Sequence, residues 1–120
     1  MNISKEELKP YCFIEEKKNY TRNLIATDNE TFTLLLLCWN PGKYSPIHDH
    51  PCNGCWMRVC QGSVNEVRYR KKNMSKKEIL HQGDDEVRAF ECTMDSTYSE
   101  GEQTFIDDNL GYHKVSYRLP

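Results

Sequence analysis

The residues best suited to chemistry in this chain are its histidines, of which there are four: His48, His50, His81 and His113. His48 and His50 flank a single residue, Asp49, so an extended strand would project both imidazoles from one face. Asp49 would point the other way, which makes it a poor ligand candidate. Two neutral nitrogen donors converging from one segment supply half of a metal site without any special loop. Taken alone, the same pair is equally well explained as two surface rings. His113 follows Gly111-Tyr112 at the start of a late strand and is the candidate third donor. His81 lies beside a loop and reads as a surface residue. Three histidines suit zinc as well as ferrous iron, because affinity alone does not separate the two. A structural zinc site on Cys52-Asn53-Gly54-Cys55 with His48 or His50 is a weaker alternative, since a second cysteine pair is missing.

The elements that must position these residues read as strands. Ser4-Lys5-Glu6-Glu7 fits a capping box, and Pro10 limits the helix it opens to little more than a turn. Tyr20 to Ala26 and Thr31 to Trp39 flank the turn residues Asp28-Asn29 and predict a hairpin. Asn40-Pro41-Gly42 and Ser45-Pro46 break the chain before His48. Cys55 to Cys60 and Val64 to Tyr69 resume the strand pattern on either side of Gln61-Gly62. Further strands are expected over Glu78 to His81, Glu86 to Cys92, Gln103 to Ile106 and His113 to Tyr117. Many short strands with turn signals between them point to an all-β antiparallel sandwich or small barrel. The expected organisation is a single domain over 1–120, with 1–19 as an N-terminal extension and 20–120 as the metal-binding core.

Composition narrows the partners. A chain of 120 residues with a formal charge of −2 carries no general pull toward nucleic acid or anionic membrane. The basic run Arg68-Tyr69-Arg70-Lys71-Lys72 reads as a solvated loop-like segment. Met1 to Pro10 is polar and charged, unlike an export signal, and the apolar run Leu34 to Trp39 is too short to span a bilayer. The expectation is a soluble, cytoplasmic monomer. Six cysteines then read as reduced thiols, with Cys12, Cys38, Cys60 and Cys92 packing as small hydrophobes.

The spacing around the histidine pair is more specific than the pair itself. Gly42, five residues, His48-Asp49-His50, four residues, Cys55, six residues and Gly62 follow the first cupin motif, with cysteine in the usual place of glutamate. The common oxygenase arrangement has two histidines and one carboxylate. Without that carboxylate the metal is more electrophilic and suited to an incoming anionic thiolate. Tyr20-Thr21-Arg22-Asn23-Leu24, Leu37-Cys38-Trp39, Ile47 to His50, Cys55, Gln61-Gly62, Ile106-Asp107-Asp108 and Gly111-Tyr112-His113 together resemble the cysteine dioxygenase family, in the same order. The resemblance runs from about residue 20 to 115.

The resemblance implies a cupin fold (a double-stranded β-helix) incomplete at its C-terminal edge, with ferrous iron held by His48, His50 and His113. It implies L-cysteine and O2 as substrates and cysteine sulfinate as product. Cysteamine or 3-mercaptopropionate are alternative thiols, and a metal-binding core without activity is a further one. Arg22 would bind the substrate carboxylate, with Tyr20 nearby. Their two-residue spacing would put both on one face of a strand, and a guanidinium pairs with a carboxylate through two charge-assisted hydrogen bonds. An ordinary surface arginine on an edge strand is the plain alternative. The family cysteine matching Cys55 can form a thioether with a tyrosine nearer the C-terminus. The chain ends seven residues beyond His113, and Tyr117 is too close to His113 to be that tyrosine.

Overall fold

A computed structural model of the chain describes residues 3–50, 53–71 and 90–118. The expected strand over Glu78 to His81, His81 itself, Cys52 and the start of the expected strand at Glu86 lie outside the described residues. Contacts divide the chain into two compact units, Met1–Ser45 with Ser116–Pro120 and Pro46–Val115.

The first unit opens with helix α1, Lys5–Leu8, whose capping box forms as the sequence predicts: Glu7 N–H donates to Ser4 Oγ at 3.2 Å and Ser4 N–H donates to Glu7 Oε2 at 2.7 Å. A short 3-10 turn over Lys9–Tyr11 carries Pro10. The expected hairpin is present. Strand β1, Tyr20–Thr27, pairs antiparallel with β2, Thr33–Trp39, with Tyr20 opposite Trp39 and Arg22 opposite Leu37. Asp28 builds the turn between them. Its Oδ1 accepts from the amides of Glu30, Thr31 and Phe32 at 2.9, 2.7 and 3.1 Å, and its Oδ2 accepts from the Thr31 hydroxyl. Asn29 completes the turn in the left-handed region at φ 64°, which asparagine tolerates better than most residues.

The second unit holds two sheets. Strand β3, Cys55–Arg58, pairs antiparallel with β6, Gln103–Ile106. Strands β4, Ser63–Lys71, β5, Phe90–Ser99, and β7, Tyr112–Tyr117, form a three-stranded sheet in the order β5-β4-β7. The last two residues of β7 belong to the first unit. Val59, Val64, Ile106 and Val115 form the buried apolar centre. Asn65 is buried beside them and spends its amide on Asp95 Oδ1 at 2.7 Å and the Ser96 carbonyl at 3.0 Å, which satisfies a group that burial would otherwise penalise. Strand-dominated, antiparallel sheets are the all-β arrangement expected of a cupin. Among the described residues no helix is long and apolar enough to cross a membrane.

Three expectations are corrected. The strand expected to end at Cys92 runs to Ser99, because its polar residues alternate with Met94, Ser96 and Tyr98 on the covered face. The basic run is not a loop: Arg68 to Lys71 continue β4, and only 15% of the Arg68 side chain is exposed. Cys12 and Cys92 are exposed rather than packed, while Cys38 and Cys60 are half-buried. Burial, and then the neighbouring Cys12 thiol, push the Cys38 thiol up from its ordinary pKa.

Candidate metal centre

Three of the four histidines converge in the second unit. His48, His50 and His113 bring ring nitrogens together, with the ligand atoms all within 4.8 Å of one another. His48 does not lie in a regular strand as its spacing suggests. It sits in an isolated antiparallel bridge to His113, whose backbone exchanges both hydrogen bonds with it: His48 N–H to the His113 carbonyl at 3.0 Å, and His113 N–H to the His48 carbonyl at 2.8 Å. The reason is local. Pro41 and Pro46 remove backbone donors on the way to His48, and the pairing left in this segment is confined to isolated bridges at Tyr44 and His48. The single bridge nonetheless sets His48 directly opposite His113, and His50 follows on the same side while Asp49 is exposed.

Second-neighbour contacts fix which nitrogen His48 and His113 present. His48 Nδ1 lies 2.8 Å from the Pro46 carbonyl, and an N–H must donate there because the carbonyl only accepts. His113 Nδ1 lies 2.8 Å from Glu66 Oε2, again an acceptor. In the neutral rings both Nε2 atoms therefore carry lone pairs. They face each other at 3.0 Å, and His50 Nε2 lies 2.9 Å from His113 Nε2. Lone pairs held this close repel unless a cation lies between them.

These distances test the fit to a metal. Two nitrogens bound at roughly 2.0–2.1 Å and at right angles would be about 2.9 Å apart, against about 3.4 Å at the tetrahedral angle. His113 Nε2 stands close to the right-angled separation from both His48 and His50, and with all ligand atoms within 4.8 Å the three residues fit a divalent ion. Burial, followed by the His113 and His48 rings, lowers the pKa of His50, which favours the neutral form a metal needs.

Behind His113 stands a fully buried carboxylate that the sequence reading missed. Glu66 on β4 is 0% exposed. Its Oε2 faces His113, while Oε1 accepts from Thr104 Oγ1 at 2.9 Å and lies 3.4 Å from Arg68 Nε. Burial pushes the Glu66 carboxyl up, but the hydrogen bonds from His113 and Thr104 and the Arg68 charge outweigh it and hold the group below the usual carboxylate range. A glutamate and an arginine two apart within a strand share a face, and that pattern was the available signal.

Each chemistry-bearing glycine spacing also has a reason. Gly111, at φ 100°, precedes β7 where an added Cβ would stand 2.3 Å from the Tyr69 carbonyl oxygen. Gly54, at φ 116°, precedes Cys55 and lies under the Phe105 ring, 2.3 Å from where a Cβ would be.

A family profile described as Cysteine dioxygenase type I matches residues 2–117. The chain belongs to that family. Proteins named Cysteine dioxygenase type 1 from Rattus norvegicus and Homo sapiens are each 29% identical over 100 residues, covering 83% of this chain and 44% of theirs. The Danio rerio protein of the same name is 31% identical over 100 residues, covering 45% of its length. This cysteine dioxygenase family chain thus spans less than half the length of the curated relatives it matches.

The remaining predicted residues lie as follows. Cys55 is half-buried at the head of β3, its Cα opposite Ile106, and does not belong to the converging set. Tyr20 and Arg22 lie in the first unit, on β1. The Tyr20 ring stacks on Trp39 with centroids 4.4 Å apart. Both line a cavity of about 410 Å³ together with Phe13, Lys18 and Asn23, and Arg22 is exposed there.

Proposed function

We propose that the chain carries the iron centre of a thiol dioxygenase that oxidises L-cysteine with O2 to cysteine sulfinate. The observation that carries this reading is the all-histidine set of His48, His50 and His113, with His113 Nε2 within 3.0 Å of both partners and no carboxylate among the converging groups. Such a set leaves the positive charge of a divalent ion uncompensated, which favours an incoming thiolate over a neutral ligand. Family membership supports the reaction class. Ferrous iron, when bound, supplies the redox chemistry that places both atoms of dioxygen on the substrate sulfur.

The chain's own residues hold and select. His48 and His113 keep their protons on Nδ1, through the Pro46 carbonyl and the Glu66 carboxylate, so that Nε2 stays open for the metal. Arg22 is proposed to pair with the substrate carboxylate, with Tyr20 beside it as a positioning group, on the strength of the family motif. That role favours cysteine and 3-mercaptopropionate over cysteamine, which has no carboxylate. Cys55 stands at the family's thioether cysteine and is proposed to border the reacting thiol. The chain is proposed to act as one cytoplasmic cupin domain and as a monomer.

The test is to load the protein anaerobically with ferrous iron, add each thiol and O2, and quantify sulfinate by mass spectrometry beside His113→Ala. Sulfinate from L-cysteine that needs both iron and His113 is the expected result. Bound iron without sulfinate would overturn the dioxygenase reading and leave a metal-binding core. Failure to bind iron would overturn the three-histidine centre itself.

A further inference from the structure

We infer that Glu66 is a positioning residue that sets the tautomer of His113, and that Arg68 and Thr104 enforce this by occupying its other oxygen; the inference rests on the metal-centre reading above. Among the described residues Glu66 is the most deeply buried polar side chain, at 0% exposure. Its contacts are divided between its two oxygens. Among the described residues Oε2 meets the His113 ring alone, at 2.8 Å, whereas Oε1 meets Thr104 at 2.9 Å and Arg68 at 3.4 Å.

That division matters because the two sides need the same thing. The Arg68 guanidinium has donors and no acceptor. Its Nε is buried without a hydrogen-bond partner among the described residues, and the nearby Glu66 oxygen is its compensating charge. Its Nη2 is already spent on Thr104 Oγ1 at 3.0 Å and on the Phe105 carbonyl, so the guanidinium cannot turn away. The group facing Arg68 must therefore be an acceptor. The group facing His113 Nδ1 must also be an acceptor if Nε2 is to be left open. Only a carboxylate accepts at both ends.

An amide of the same shape satisfies one end and fails at the other. In Glu66→Gln the charged donor takes the amide oxygen, and the NH2 group is left facing His113 Nδ1. The ring must then accept at Nδ1 and carry its proton on Nε2, the atom that faces His48 and His50. Removing Arg68 as well relieves the conflict, since the hydroxyl of Thr104 can either donate or accept. Glu66→Gln with Arg68→Met should return the proton to Nδ1.

The metal-free protein decides the matter without any turnover. Long-range proton–nitrogen spectra at pH 8 should show His113 protonated on Nδ1 in the unsubstituted chain, on Nε2 in E66Q, and again on Nδ1 in E66Q/R68M. Titration with cobalt(II) should show about 10–100-fold weaker binding for E66Q, the usual cost of losing a ligand's outer partner, with partial recovery in the double variant. An unchanged tautomer in E66Q would overturn the inference. So would an Nε2 proton in the unsubstituted chain, a result that does not depend on whether E66Q folds. If the unsubstituted chain binds no cobalt, the three-histidine reading falls, and the tautomer comparison still decides the role of Glu66.

Discussion

At the scale of single residues the metal face depends on open nitrogens, and each ligand is exposed to a direct test. His50→Ala removes one corner of the face and should reduce metal from stoichiometric to substoichiometric by elemental analysis, with the strand content by circular dichroism unchanged. Asp28 offers a pH test far from the metal. The Thr31 hydroxyl, then the amides of Glu30, Thr31 and Phe32, hold its carboxyl well below the usual carboxylate range. A carboxyl whose pKa is lowered by folding stabilises the fold fully above its unfolded value, near 3.9, and loses that contribution as pH falls through the folded value. Asp28→Ala should therefore melt a few degrees lower at neutral pH, and the difference should shrink below about pH 4. Thermal melts of both proteins across that range check the sign.

At the scale of elements the question is what brings β7 and the His48 segment together. Gly111 allows β7 to start against the Tyr69 carbonyl, a backbone atom that cannot swing aside. Gly111→Ala should destabilise by more than about 1 kcal/mol, because an L side chain is both strained at that φ and blocked. Gly54→Ala is strained at its φ of 116° as well, but its nearest obstacle is the Phe105 ring, which can shift, with the Ile106 carbonyl farther off at 3.2 Å, so its cost in a denaturant titration should be smaller. Ile106, 2% exposed, anchors β6 beside Thr104, and Ile106→Ala should cost about 2–5 kcal/mol. Much of this level was legible. Asp28-Asn29 marked the hairpin, and the His-x-His spacing with Gly111-Tyr112-His113 marked the ligands. Glu66 and Thr104 were not legible, because alternation tells which residues share a face and never which strand lies opposite. Arg68 was hidden by its neighbours: five basic or aromatic residues in a row look solvated until one of them is given a buried partner.

At the scale of the whole molecule, ligands 63 and 65 positions apart in sequence tie metal binding to folding. A ligand that binds only the folded chain stabilises it by about 2.7 kcal/mol at one hundred times its dissociation constant. Ferrous iron or cobalt should therefore raise Tm by several degrees and a chelator should reverse it, while His113→Ala should show no shift. The reciprocal backbone bonds between His48 and His113 have a kinetic counterpart. Those two amides are each shielded by the other residue's carbonyl, so deuterium reaches them only when the segment peels away from β7. Where every opening leads to exchange, as at high pH, their uptake of deuterium from heavy water equals the opening rate of this segment, and an ion held there can escape by that route no faster than that limiting rate.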